Sequence, residues 1–372
     1  MKVVINKSLL NSATQRSQGA ITERSLAQIG LRAQGAHIQM LVADRVLAVY
    51  NELDCHVKEP GELFVPAKLF TDVVKELPDG DVNLEVEESF LIVTGGQHNE
   101  FLIKIPKIEG KNWREPPEIN SSNTATLPCD KVTYMVDQVQ FCVAHESTRN
   151  YGAVGYFHKV DNEKLRLVGT DGYRLSYSEI AVQFPDLFLQ NGVCLSKRAL
   201  TEIQRMCNEG FEDLVLAISE DEATIMASVP GYKVFARLSN VKYPNYQGVL
   251  PKSDMTSVTL SRSYFQSVAK RVLLASDKTR ALQLHFSNGM LVLRSRTVGS
   301  SESKESIVLE DYSGGETIIA INGKFLTDVF STISSDTVAL NFNDNDEPIM
   351  LYPKEEPNGC HSLHVLVPIT EN

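Results

Sequence analysis

Few residues in this 372-residue chain stand at spacings that could do chemistry. Asp171, in Thr170-Asp171-Gly172, could act as a carboxylate base, but no histidine or second acid accompanies it, and Asp-Gly ordinarily makes a turn. His361 and His364 are the one close histidine pair. They lie in a strand-like segment, where residues three apart point to opposite faces, so surface or packing histidines are expected rather than a metal site. Asn343–Glu347 has the oxygen-rich character of a calcium loop without the glycine and distal glutamate of an EF-hand, and reads as a solvated hairpin turn. The six cysteines, at 55, 129, 142, 194, 207 and 360, form no C-x-x-C pair and no zinc spacing, which predicts reduced thiols. There is no phosphate-binding glycine loop, no dinucleotide fingerprint and no nucleophile elbow. No cofactor or metal is expected. The lack of any catalytic constellation argues against an enzyme, and a hydrolase built on Asp171 has little behind it.

The chemistry that does recur is positive charge on helices. Arg262, Lys270, Arg271, Lys278 and Arg280 crowd residues 261–280, with Asp277 as the one acid. Other helical stretches carry Arg16, Lys68, Lys75, Lys131, Lys197, Arg198, Arg205 and Lys324. Acids collect instead in 79–88, 209–222, 302–311 and 344–356, mostly strand and turn segments. The net charge of −11 by itself argues against nucleic acid. Binding depends on local charge, however, and basic residues recurring on equivalent helices predict one basic surface suited to phosphate contacts without sequence readout.

Those helices belong to a repeat. Val65–Val73 reads V-P-A-K-L-F-T-D-V, Leu195–Ile203 reads L-S-K-R-A-L-T-E-I and Ile321–Val329 reads I-N-G-K-F-L-T-D-V. Each copy has a basic residue fourth (Lys68, Arg198, Lys324), then two apolar residues, Thr, a carboxylate and a β-branched residue. The Thr and carboxylate are expected to face solvent. Copies some 130 residues apart mean domains of one fold rather than a solenoid of short repeats. An apolar helical stripe follows in each: Phe70, Val73, Val74 and Leu77; Leu200, Ile203 and Cys207; Leu326, Val329, Phe330 and Ile333. A strand of period two comes next, then two more strand-like runs. The preceding halves, around Val4-Ile5, Thr126-Leu127 and Thr259-Leu260, lead into helices containing Leu10, Val132 and Phe265. The expected fold is therefore α+β, three tandem domains at 1–120, 121–250 and 251–372, each made of two β-α-β-β-β units. Polar, Pro-containing stretches at 113–126 and 243–256 are expected linkers, and the Ser/Glu/Lys run 299–306 is expected to be disordered. With 42% apolar and 22% charged residues, no apolar run near the roughly 20 residues of a membrane span, and an N-terminus that turns polar at once, a cytoplasmic protein is expected.

At this point the chain resembles a known family, the bacterial DNA polymerase III β subunit. Leu167–Leu175, L-V-G-T-D-G-Y-R-L, is similar to the family's T-D-G-H-R-L signature, and Phe141–Arg149 to the segment before it. Tyr243-Pro244-Asn245-Tyr246 with Val249-Leu250-Pro251-Lys252 resembles its F-P-D-Y…V-L-P-K junction. Val65–Phe70, Leu77–Gly80 and the ending Leu366–Ile369 match further motifs, in order and nearly end to end. The resemblance implies a DNA sliding clamp: a head-to-tail homodimer ring around duplex DNA, helices lining the hole and sheets outside, with no catalytic role. It implies that Arg24, Lys68, Arg149, Lys197, Arg198, Arg205 and Lys324 face DNA. It implies a pocket for clamp-binding peptides of the replicative polymerase and clamp loader, made by Tyr151, Thr170, Gly172, Tyr173, Arg174, Leu175, Pro244, Val249, Val367, Pro368 and Ile369. It implies a dimer contact between Phe101 and Ile103 of one copy and Leu273 and Leu274 of the other, with Lys75, Glu302 and Glu305 at the rim. Either leucine of V-L-L-A could instead be core. Departures bear on affinity: Ala43-Asp44-Arg45 in the first domain, Glu146 on the DNA side, Gly248 at the pocket rim and the tail Thr370-Glu371-Asn372. The competing expectation is an interaction hub of the same fold that does not load on DNA.

Overall fold

The computed structural model describes all residues except 22–26, 97–99, 146–149, 251–254, 298, 311, 344–346 and 370–372, and the side chains of 120 and 121. Its elements fall into six successive β-α-β-β-β units. The first is β1 (Lys2–Asn6), α1 (Lys7–Arg16), β2 (Gln28–Gln34), β3 (His37–Ala43) and β4 (Leu47–Asp54), followed by a short extra strand, β5 (His56–Glu59). The second is β6 (Gly61–Pro66), α2 (Ala67–Glu76), β7 (Asp81–Glu87), β8 (Phe90–Gly95) and β9 (Phe101–Pro106). The third is β10 (Ile119–Pro128), α3 (Cys129–Asp137), β11 (Val154–Asp161), β12 (Lys164–Thr170) and β13 (Arg174–Ala181). The fourth is β14 (Val193–Ser196), α4 (Lys197–Cys207), β15 (Asp213–Ser219), β16 (Thr224–Val229) and β17 (Tyr232–Arg237). The fifth is β18 (Thr256–Ser261), α5 (Arg262–Val272), β19 (Ala281–Ser287), β20 (Met290–Thr297) and β21 (Ser301–Val308). The sixth is β22 (Thr317–Asn322), α6 (Gly323–Thr332), β23 (Thr337–Phe342), β24 (Ile349–Pro353) and β25 (Cys360–Leu366).

The repeated nonapeptide is the strand-to-helix corner of units two, four and six. Its second residue, Pro66, Ser196 or Asn322, stands just before the helix. The Asn322 side chain accepts from the Lys324 and Phe325 amides and the Ser196 hydroxyl from the Ala199 amide, meeting helix donors that have no partner within the first turn. The apolar stripes are buried as expected: Phe70, Val74, Leu326 and Phe330 have no exposed surface, and Leu200 and Ile203 almost none.

Four antiparallel sheets result. The two eight-stranded ones, β10-β15-β16-β17-β4-β3-β2-β6 and β18-β23-β24-β25-β13-β12-β11-β14, share one plan. A half made of one leading strand and three returning strands joins a half made of three returning strands and one leading strand. The joints are β17 to β4, with Val234 opposite Val49, and β25 to β13, with His364 opposite Ser176. The two smaller sheets, β5-β1-β7-β8-β9 and β21-β20-β19-β22, are the same two halves left unjoined, so β9 and β21 are open edges.

The chain divides into two compact units, 1–129 with 184–188 and 201–238, and 130–183 with 189–200 and 239–372. Each contains one eight-stranded sheet, so the middle repeat contributes to both. Two local expectations fail. The run 299–306 is not disordered, because residues 301–308 form β21, paired along its whole length with β20. Its inward residue Ile307 is buried, and the charges that suggested disorder stand on an open edge, where they discourage indiscriminate strand pairing. The linker expected at 113–126 is half strand, since β10 starts at Ile119.

Candidate functional site

The second unit carries a cavity of about 720 Å³ beside its large sheet. Eight of the expected pocket residues line it: Tyr151, Thr170, Gly172, Arg174, Leu175, Pro244, Val249 and Val367. The T-D-G turn builds one wall. Asp171 is spent on that turn: one oxygen accepts the Tyr173 and Arg174 amides at 3.0 and 3.1 Å, the other the Arg174 Nε at 2.9 Å. Gly172 turns the chain at φ 88°, a region that disfavours other residues. Arg174 is a fixed wall rather than a free donor. Its Nη1 donates to Asp328 and its Nη2 to the Phe141 carbonyl, both at 2.9 Å, and its guanidinium lies 4.3 Å over the Phe325 ring.

Three expected residues do not line the cavity. Tyr173 is largely exposed, and its carbonyl receives the Val367 amide at 3.0 Å. Pro368 and Ile369 follow the tail, which is pinned to the edge of β22 by the Ile369 amide donating to Ala320 at 2.7 Å. In their place stand Asn245, Tyr246, Leu250, Glu347, Pro348 and Val365, with Gly248 at the rim. Strand alternation could have found Val365, two residues before Val367. Glu347 and Pro348 arrive only by sheet pairing. At the matching joint of the first unit, a smaller cavity of about 190 Å³ is lined by Tyr50 and Trp113, and Arg32 stacks 4.4 Å over the indole.

The helix cations are less free than the sequence suggests. Lys68 is exposed on the first turn of α2, and Arg198 is half-exposed at the same place on α4. Lys197 is half-buried, and burial, together with Arg174 nearby, lowers its pKa. Arg205 donates to Glu202 at 3.0 Å, Lys324 pairs with Asp328, Arg16 meets Glu209 at 2.6 Å and Arg271 meets Glu305 at 2.5 Å. Arg24 and Arg149, and the departure Glu146, lie outside the described residues. Two of the repeat's three carboxylates are thus not the surface residues expected. Glu202 is buried against Gly19, where an added Cβ would lie 1.8 Å from its oxygen, and Asp328 binds Arg174 and Lys324. Asp72, their counterpart on α2, is exposed and has no such partner among the described residues.

The open edges carry the expected dimer residues. Phe101 and Ile103 are half-exposed on β9, with Leu102 58% exposed between them. Leu273 packs on the core of the last repeat, whereas Leu274 is 86% exposed. Lys75 is exposed on α2. Glu302 and Glu305 bind Arg294 and Arg271 of their own chain.

Comparison with known proteins gives this geometry its family. The models of the N-terminal, central and C-terminal domains of the DNA polymerase III beta subunit match residues 1–109, 126–245 and 247–368. This chain belongs to the DNA polymerase III beta subunit family. The beta sliding clamp of Pseudomonas aeruginosa is 25% identical over 99% of this chain and 100% of its own length, and that of Escherichia coli K12 is 25% identical over 91% and 88%. Crystal structures of the family's Pseudomonas aeruginosa and Thermotoga maritima members share the fold at TM-score 0.90, with 23% and 21% identity and complete coverage of both chains. Among the described residues no helix is long and apolar enough to cross a membrane, and no group of three or more potential metal ligands occurs.

Proposed function

We propose that this chain is a DNA sliding clamp: a cytoplasmic, non-catalytic accessory subunit whose homodimer encircles duplex DNA and tethers a replicative polymerase and clamp loader. The end-to-end match to the three beta-subunit domains carries the reading. We place the chain's three domains where the repeat puts them, at 1–120, 121–250 and 251–372.

The dimer follows from the unjoined half-sheets. Joining β9 of one copy to β21 of another repeats the plan of the two complete sheets. Aligning the repeats places Ile103 at the position of Val234 and His364, and Ser303 at that of Val49 and Ser176. The expected register is therefore Ile103 of one copy opposite Ser303 of the other, antiparallel. The helices agree. Leu274 stands twelve residues after the start of α5, as Phe141 does after the start of α3. Phe141 is packed against the core of the following repeat, while Leu274 is left 86% exposed among the described residues. Its expected seat is α2 of the other copy, beside Asp72 and Lys75. Two such joints close a ring of two 41.3 kDa chains.

Lys68, Arg198 and the other helix cations serve as phosphate contacts, and the carboxylates bound to Arg205, Lys324 and Arg271 keep the hold loose enough to slide. The cavity at Leu175 and Val367 takes the apolar anchors of partner peptides. Loading the protein on nicked circular DNA and then linearising it tests the whole reading. Retention on circles and release from linear ends is expected. Equal retention on both forms means ordinary electrostatic binding, and none on either form favours the hub.

A further inference from the structure

We propose that Tyr246 positions the outer wall of the peptide cavity, and that the hydrogen bonds holding it couple peptide binding to the protonation state of His158. The proposal rests on reading the cavity as the peptide site. That wall is the single 3-10 turn Tyr246–Val249, which contributes Tyr246, Gly248 and Val249 to the lining. The turn holds itself poorly. It has no side-chain cap, and the backbone bonds at its two ends, Gly248 to Asn245 and Leu250 to Gln247, are long at 3.4 and 3.3 Å. Gly248 and Val249 are exposed, and Tyr246 is the one buried residue of the turn. The tyrosine side chain is thus what fastens the wall to the sheet.

Its phenol is gripped from two strands. Arg166 Nη1, on β12, donates to the Tyr246 oxygen at 2.7 Å, and His158 Nε2, on β11, lies 3.0 Å from it. Arg166 is itself fixed by Glu179 on β13 and lies 4.4 Å over the Tyr177 ring. The direction of the chain is set by the far side of the imidazole. His158 Nδ1 is 2.7 Å from the Lys159 carbonyl, which can only accept, so Nδ1 carries the proton. In the neutral ring Nε2 is bare. The phenol donates to it while accepting from Arg166, and all three groups are satisfied.

Protonation breaks this order. A proton on Nε2 gives the phenol oxygen two donors and leaves its own hydrogen without an acceptor. It also sets a second cation beside Arg166. The charged and titratable groups facing His158 are Arg166 and Glu179 from the neighbouring strands, Tyr246 from the turn, and Tyr156 of its own strand, stacked 4.7 Å away and backed by Tyr243. Glu179 favours the imidazolium, but it is already bound to Arg166. Burial works against the charge as well and lowers the His158 pKa.

The test is fluorescence anisotropy with a fluorescein-labelled clamp-binding peptide of a replicative polymerase, on the full chain at pH 8.0 and 5.0. Tyr246→Phe keeps the ring and removes the grip. It should weaken binding by up to about thirtyfold at pH 8.0, the net loss of two hydrogen bonds at about fivefold each. The wild-type protein should lose affinity at pH 5.0 relative to Tyr246→Phe and to His158→Gln, whose affinities should follow only the common effect of pH on the peptide. Wild-type affinity in Tyr246→Phe, or the same pH slope in all three proteins, overturns the proposal. A thermal midpoint measured for each variant separates a loosened wall from a loosened fold. Val367→Asp separates the two readings. If it leaves binding intact, the cavity is not the peptide site and both fall. If it abolishes binding while Tyr246→Phe changes nothing, only the positioning role falls.

Discussion

Leu274→Ala should dissociate the dimer without loosening the protomer. In the single chain this side chain is 86% exposed, so shortening it leaves no cavity and costs the fold little. In the proposed dimer it is buried on α2 of the other copy. The substitution removes three carbons, about 2.4 kcal/mol at roughly 0.8 kcal/mol for each buried methylene. A ring has two such joints, so complete dissociation becomes easier by about 5 kcal/mol. On the scale of about 1.4 kcal/mol per tenfold, opening one joint is favoured about 50-fold and separating the protomers about 3,000-fold. Sedimentation velocity across nanomolar to micromolar concentration reads the second number, and thermal unfolding of the dilute monomer reports on the fold. A dissociation constant within about threefold of the wild type would place Leu274 outside the interface and refute the counterpart relation with Phe141.

Two further outcomes are expected. Val367→Asp puts a carboxylate on a half-exposed lining position and should weaken peptide binding at least about tenfold in anisotropy while leaving the sedimentation of the dimer unchanged, as expected of a central lining residue. His364, fully buried with its Nδ1 2.9 Å from the Ser176 hydroxyl, has its pKa pushed down by burial to about 3. The folded state then binds fewer protons than the unfolded state below about pH 6.5, so the neutral imidazole's contribution is complete above that pH and drains away as pH falls toward 3. Between pH 7.5 and 4.5 urea unfolding should show the wild type losing about 2–3 kcal/mol more than His364→Gln, two pH units at about 1.4 kcal/mol each. Equal losses in the two proteins would show that His364 is not held neutral.

The sequence determined the plan of the molecule. A strict repeat needs only local rules, and helix stripes such as Phe70-Val73-Val74, caps such as Asn322 and period-two strands such as Val338-Leu340-Phe342 follow those rules. The T-D-G turn and the apolar residues Leu175 and Val367 were legible for the same reason. Tertiary structure decided which charges are free. Arg16 and Arg271 read as available cations until folding brings Glu209 and Glu305 to them, whereas the pairs Arg205–Glu202 and Lys324–Asp328 are helix neighbours three and four apart that helical spacing alone could have found. It also decided which leucine of Val272-Leu273-Leu274-Ala275 is core, since one helical step turns Leu273 onto the last repeat and leaves Leu274 outside. Tyr246 is the sharpest case. Nothing in its neighbourhood along the chain distinguishes it from Tyr243 as a wall residue. Its role depends on Arg166 and His158, about eighty residues away, which only the pairing of β11, β12 and β13 places beneath its hydroxyl.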